Sequence, residues 1–440
     1  MANTPLNQPK VLNAWCMYDW ANSVYGLVIR TTIFPIYFTN ATRAAYGSDQ
    51  IPFFGQTIKH TVLLSWTWSI SFLLVAIIIP ILSGIADYQG TKKRFMQFFT
   101  IMGSAACVAL FFFSGNNVEF GVIMCILATM GFTGGLVFYN AFLPEIATED
   151  RYDRLSARGF ALGYIGSLIL LIINLVMITF AEDIGITKGM ASKISFVMVG
   201  LWWIGFAQLA FIRLPQGTAK GGTLRENMLK GYREFAKVWR SLGQQKMLRT
   251  YLVSFFFFSM GIQTTMYMAA LFGKDEIKME DNSLILVIII LQVVAILGGY
   301  LFAWLSERRG NKLSLFSMLI IWIGICFSAA YLVYTPGDFY ILAFFVGLVM
   351  GGLQSLSRSS YSKLIPKDTK DYASYFSFFD VSEKIAAVLG TFSYGLVEAM
   401  TQSMRNSAAV LGIYFVLGMI FLVGVRFTKG QPEDLAGVPE

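Results

Sequence analysis

Long apolar runs recur from one end of this chain to the other, and each is long enough to cross a lipid bilayer. A helix rises about 1.5 Å per residue, so about 20 apolar residues span a hydrocarbon core of roughly 30 Å. In that medium a helix satisfies its own backbone hydrogen bonds within one segment. Twelve such spans are legible, at residues 14–38, 61–86, 95–114, 120–143, 159–180, 193–212, 248–272, 284–305, 313–334, 339–364, 373–399 and 408–427. Of the 440 residues, 56% are hydrophobic and 14% charged, against about 25% charged in soluble domains. The expected fold is all-α and membrane-embedded, with almost no soluble mass.

The net charge of +8 comes from loops. Those after spans two, four, six, eight and ten carry most of the Lys and Arg, among them Lys92, Lys93, Arg94, Arg151, Arg154, Arg158, Arg308, Arg309, Lys312, Lys363, Lys367 and Lys370. By the positive-inside rule these loops and both termini are cytoplasmic. The charge is therefore no signal for nucleic acid. The four cysteines, Cys16, Cys107, Cys125 and Cys326, fall in apolar spans without metal-ligand spacing, and His60 is the only histidine. Neither a metal site, a cofactor nor a Ser-His-Asp triad is expected. No cleaved signal peptide is read at the N-terminus. Short tails suit a bacterial inner membrane.

A basic linker, 214–247, divides the chain into an N-terminal bundle at 1–213 and a C-terminal bundle at 248–427, followed by a tail at 428–440. Within the linker a capping box at Thr223 and Glu226 opens a helix. Leu224, Met228, Tyr232, Phe235 and Trp239 form its apolar side, and Arg225, Lys230, Arg233, Lys237 and Arg240 fill the others. Such a helix suits an anionic membrane surface. The two halves echo each other. Asp87, Gly90, Lys92 and Lys93 after span two match Glu307, Gly310 and Lys312 after span eight. Spans four and ten both end in paired glycines, a polar stretch and a proline. Two related six-span halves are the repeat architecture of many secondary transporters, with a site near the midplane between them.

Six ionisable residues lie inside the spans: Asp19, Arg30, Arg358, Asp380, Glu383 and Lys384. A charge at the bilayer centre costs about 2.5–3.5 kcal/mol on insertion scales, so each must face a wet or paired interior. Three acids or bases of each sign suggest a mutually compensated set.

The acid–glycine–basic loop resembles the cytoplasmic loop motif of the major facilitator superfamily, with Ser83 and Ala303 where that motif has a leading glycine. Trp15 to Tyr25, Tyr139 to Pro144, Ser156 to Tyr164 and Gly351 to Ser359 together resemble the vacuole-effluxer family of that superfamily, whose fungal members are autophagy-related amino-acid exporters. The resemblance implies two pseudo-symmetric six-helix bundles, alternating access, export of small solutes such as amino acids, and a cavity lined by helices one, four, seven and ten. In span five Gly159, Gly163 and Gly166 keep a small face for close helix contact, while Tyr164 stands where the superfamily's antiporter motif has proline.

On that frame Asp19, Asn140, Arg358, Asp380, Glu383 and Lys384 are expected to form one network near the cytoplasmic side, acting as a gate, a structural lattice or a proton-coupling site. Lys384 pairs with Asp380 at i,i+4, which leaves Glu383, reaching toward helix ten, as the first choice of proton carrier. Arg30, about 16 Å deeper than Asp19 on helix one, suits a substrate carboxylate. Asn22, Tyr25, Asn140, Gln263 and Gln354 are the other substrate-binding candidates, and Tyr139, Tyr267 and Trp66 could add aromatic surface. Gln292 is a further hydrogen-bonding candidate. Asp87, Gly90, Lys92, Lys93, Glu307 and Gly310 belong to the loop motif. The expected partners are a small organic substrate, lipid and protons, for a monomeric carrier that is not an enzyme. A lipid-handling protein of flippase type, or a membrane-embedded enzyme, remains the alternative.

Overall fold

The computed structural model describes residues 5–217 and 224–427. Its first span is one long helical stretch in three parts: α1 (Pro9–Val24), a π-helix (Tyr25–Ile33) and α2 (Phe34–Tyr46). The rest of the first bundle is α3 (His60–Gln89), α4 (Lys92–Ala109), α5 (Val118–Asn140), the short α6 (Leu143–Ile146), α7 (Tyr152–Thr179) and α8 (Lys188–Arg213). The linker helix is α9 (Leu224–Gln244). The second bundle comprises α10 (Lys246–Asp275), α11 (Asp281–Arg309), α12 (Asn311–Tyr331), α13 (Pro336–Leu364), α14 (Tyr372–Thr401) and α15 (Met404–Val423). Ten helices among the described residues are long and apolar enough to cross a membrane. The first span and α14 complete the set of twelve, and these two carry five of the six intramembrane charges.

Local chemistry sets the helix ends. Pro336 opens α13 behind a capping box in which Thr335 accepts from the Asp338 N–H and Asp338 accepts from the Thr335 N–H. Gly90 closes α3 at φ +70°, and Gly310 turns α11 into α12 at φ +89°, both backbone conformations that favour glycine. The capping box expected at Thr223 lies outside the described residues, as does the tail at 428–440.

The all-α expectation needs one addition. Between α2 and α3 the chain forms a hairpin of β1 (Gln50–Phe53) and β2 (Gln56–Lys59), antiparallel with Gln50 opposite Lys59. Phe54 and Gly55 at its tip both have positive φ, as a two-residue type I′ connection requires. The Phe54 N–H donates to Glu119 at 3.0 Å, and Arg43 donates to Asp49 at 2.6 Å. That guanidinium holds the Asp49 carboxyl below the usual carboxylate range.

Small residues fix the packing. Gly163 and Gly166 seat α7 against α1, where a Cβ on Gly163 would lie 3.2 Å from the Asp19 carbonyl oxygen and one on Gly166 would lie 2.9 Å from that of Trp20. In the second half a Cβ on Gly351 would lie 2.0 Å from the Ala295 carbonyl oxygen, which locks α13 to α11. The halves meet along two seams, α3 with α14 and α7 with α11. A shift of six spans converts one seam into the other.

Candidate functional site

Between the halves lies a cavity of about 190 Å³. The first span, α5 and α7 line it from one side, α10, α13 and α14 from the other, with Phe72 of α3. Ten of the eleven residues expected to bind substrate, gate or couple face it: Asp19, Asn22, Arg30, Asn140, Gln263, Gln354, Arg358, Asp380, Glu383 and Lys384. Tyr25 is the exception. It is fully buried, its hydroxyl lies 2.7 Å from that of Thr129, and its ring packs on Phe132 and Trp203. Of the other aromatic candidates, Tyr267 lines the cavity, Tyr139 serves Asp19, and Trp66 is exposed on the bundle's outside. Gln292 is buried away from the cavity.

The single six-residue network is not what forms. The charges divide into two clusters and one solitary cation. In the first cluster Arg358 of α13 crosses to the other half. Its Nη1 and Nη2 lie 3.2 Å from Asp19 Oδ2, Nη1 donates to Asn140 Oδ1 at 3.3 Å, Nε to Ser156 Oγ at 2.8 Å, and Nη2 to the Ser156 carbonyl at 3.0 Å. Phe160 and Trp15 cover the guanidinium at 4.3 and 4.6 Å, within cation–π range. The Tyr139 hydroxyl donates to Asp19 at 2.8 Å. A Cβ on Gly159 would lie 2.5 Å from Asp19 Oδ2, so that glycine makes room for the pair.

The second cluster sits inside the C-terminal half. Lys384 Nζ lies 2.6 Å from Glu383 Oε2 and 3.3 Å from Asp380 Oδ1, and Gln263 of α10 donates to Glu383 Oε1 at 2.9 Å. Two expectations change here. Glu383 reaches α10 and not α13, because its position on α14 faces that neighbour. Glu383 is also the better compensated acid, with a partner on each oxygen, while Asp380 Oδ2 is buried without one.

Arg30 stands apart in the π-helix. Its guanidinium lies over Phe132 and Tyr267 at 5.7 and 5.8 Å, and no carboxylate among the described residues pairs with it. Its Nε and the Asn22 Nδ2 are buried donors without partners. π-Helical turns concentrate at functional sites. Here the Thr32 hydroxyl bonds the Leu27 carbonyl five residues back at 2.8 Å.

Hydrogen bonds and ion pairs between the halves gather at the end that carries the basic loops. Asp87 accepts the Ala373 and Ser374 N–H groups at 3.1 and 2.7 Å, capping the start of α14. Lys92 braces Asp87 at 3.7 Å and pairs with Glu145, and Lys93 donates to the Leu214 carbonyl at 3.0 Å. The matching Glu307 does not repeat this role; it is exposed. The acid at the second seam is Asp153 of α7, which accepts from Ser306 at 2.9 Å, Asn311 at 2.9 Å and Lys363 at 2.7 Å. Ser156 donates to the Ser355 carbonyl at 2.7 Å, Tyr164 bonds Gln354, and Lys367 pairs with Glu149 at 2.9 Å.

Sequence reasoning missed Asp153, Ser156 and Lys363. Asp153 reads as an ordinary acid in a helix first turn, and only the six-span repeat marks it as lying opposite the second loop motif.

Two six-helix bundles around a central polar cavity, tied at one end, define a membrane transporter of the major facilitator superfamily. Solved structures agree on the fold. An outward-conformation FucP is similar over 95% of this chain and 98% of its own, with a TM-score of 0.70 and 14% identity. The proton:xylose symporter XylE is similar over 94% and 95%, with a TM-score of 0.72 and 14% identity. The chain belongs to the vacuole effluxer Atg22-like family, which matches residues 7–435. It is 32% identical to the MFS-type transporter YxiO of Bacillus subtilis (strain 168) over 94% of both chains. It is 25% identical to autophagy-related protein 22 of Saccharomyces cerevisiae (strain ATCC 204508 / S288c), over 85% of this chain and 80% of that one.

Proposed function

We propose that this protein carries a small zwitterionic solute, an amino acid, by alternating access with coupling to a proton. One observation carries the reading: a guanidinium without a carboxylate partner among the described residues shares a cavity with an acidic cluster that holds one lysine against two carboxylates. Arg30 takes the α-carboxylate, with Asn22 as a further donor. Glu383 and Asp380 supply the negative surface for the ammonium. Phe72, Phe132, Phe160 and Tyr267 offer apolar walls for a side chain.

The positive-inside rule makes the basic end cytoplasmic, with both termini there, and a bacterial relative supports a plasma-membrane setting. The ties at that end support an outward-facing state. One chain encloses the whole cavity, which suits a monomeric carrier. The proton resides on Asp380, whose second oxygen lacks a partner. Formally the cavity set is neutral, and a bound zwitterion leaves it neutral.

The test is thermal stabilisation of the purified protein by the common amino acids, their methyl esters and the corresponding amines. At least one amino acid should stabilise by mass action, and its ester and amine should not. Arg30→Ala should weaken that ligand about 100-fold, on the order of 2.7 kcal/mol, with unliganded stability little changed. Stabilisation by esters equal to that by free acids removes the assignment of Arg30.

A further inference from the structure

One side of α9 is docked on both halves. A Cβ on Gly231 would lie 2.5 Å from Ile85 Cγ1, and one on Gly84 would lie 2.2 Å from the Gly231 carbonyl oxygen, so α9 meets α3 backbone to backbone. Phe235 stacks on Phe378 of α14 at 4.8 Å, and Trp239 leans on the same ring at 5.4 Å. Lys237 pairs with Asp371 at 3.3 Å, and Gln245 donates to the Tyr375 hydroxyl at 3.0 Å. The helix thus bridges α3 and α14 beside the cap that Asp87 places on α14.

A second side carries the cations, of which Lys237 reaches back to Asp371 and Lys230 lies over the Tyr88 ring at 5.3 Å. Lys230, Arg233, Lys237 and Arg240 fall at i, i+3, i+7 and i+10, a single stripe of exposed cations. Tyr232 and Trp239 lie next to it, 61% and 64% exposed. A cationic stripe flanked by interfacial aromatics fits an anionic bilayer surface, at about 1 kcal/mol per Lys or Arg near that surface.

We propose that α9 senses the charge of the leaflet at the basic end, and that anionic lipid favours opening of that end. The inference rests on the alternating-access reading above. A lipid surface shifts an equilibrium only by what it gains in one state over the other. In the docked state Asp371 holds Lys237 at 3.3 Å, and Phe378 engages Phe235 and Trp239. Rocking the halves apart separates α3 from α14, and α9 cannot then keep both contacts. The released cation and rings become available to headgroups and the interfacial zone. Asp371 holds the Lys237 ammonium above its usual range, so the exchange is one of partners and not of protonation.

Spin labels at Asp150→Cys and Asp368→Cys, exposed loop positions of the two halves at the basic end, report its opening by electron–electron distance measurement. The four native cysteines are buried and free. The full-length protein is compared in phosphatidylcholine vesicles with and without about one-third phosphatidylglycerol. The long-distance population should rise at least about threefold in the anionic vesicles. Glutamine at Lys230, Arg233, Lys237 and Arg240 together should abolish the response. Asp371→Asn should raise the open population in neutral lipid, because it frees Lys237 without touching the stripe. Equal populations in the two lipids, or closure by phosphatidylglycerol, would overturn the inference. If the distance is fixed in every lipid and variant, the alternating-access reading fails as well, which is a separate result.

Discussion

The two charged clusters on the cavity wall each set a buried cation against carboxylate and differ in what they leave unsatisfied. Arg358 is bonded along its edges to Asp19, Asn140 and Ser156, covered by Phe160 and Trp15, and joins the two halves. The Asp380–Glu383–Lys384 set stays within one half, holds one cation against two acids, and leaves Asp380 Oδ2 bare. A saturated pair across a moving seam stabilises one arrangement of the halves. An unsaturated set within one half travels with that half and keeps capacity for a proton or a ligand. Burial alone does not separate lock from site; saturation and the seam do.

The largest effect that tests this contrast is loss of Arg358. Arg358→Ala leaves Asp19 buried with Tyr139 as its remaining close donor. Breaking a buried pair from one side costs about 3–5 kcal/mol, so thermal unfolding should fall accordingly and the basic end should lose its closed state. Asp19→Asn combined with Arg358→Gln should be milder than Arg358→Gln alone, because no charge is then stranded. A double variant as damaged as the single one would mean that the hydrogen bonds to Ser156 and Asn140, and not the ion pair, hold the seam.

The second cluster should respond differently. Asp380→Asn should keep the fold and counterflow exchange in proteoliposomes while abolishing uptake driven by a pH gradient. Glu383→Gln should instead weaken substrate binding, because both of its oxygens already hold partners. If Glu383→Gln is the uncoupling variant, the unpartnered oxygen of Asp380 is no guide to the proton, and the assignment reverses.

The spans, the halves and the six intramembrane charges are legible because hydropathy, loop charge and repeated motifs are properties of neighbouring residues. Partner choice is not. Arg358 meets Asp19 across 339 positions and Ser156 across 202, and nothing near Arg358 distinguishes those partners from Glu383. Tyr25 and Tyr267 show the same limit, since each is a tyrosine in an apolar span and only helix rotation decides which one reaches the cavity. The π-helix at Tyr25–Ile33 changes that rotation within the first span, and Gly26, Arg30, Thr31 and Thr32 within it are equally compatible with ordinary helix. The loop motif misleads at Glu307 for a related reason: a repeat preserves backbone placement, while either side of a seam can supply the acid.

The smallest effects sharpen that last point. At one seam Asp87 reaches from the last turn of α3 to cap α14; at the other, Asp153 reaches from α7 to bind the α11–α12 turn and Lys363. Asp153→Asn strands a partly buried lysine and should cost about 1.5–3 kcal/mol, the range for hydrogen bonds to charged groups. Asp87→Asn keeps one acceptor for the α14 N–H groups and, at this buried helix start, should cost up to about 2 kcal/mol. Glu307→Gln should fall within about 0.5 kcal/mol of the parent, as at other exposed positions. Thermal unfolding orders the three. Transport kinetics add a finer discrimination. A Glu307→Gln variant of normal stability but slowed exchange would place Glu307 in contacts made only after α7 and α11 move apart. The repeat would then be chemically symmetric over the cycle although this state shows it broken.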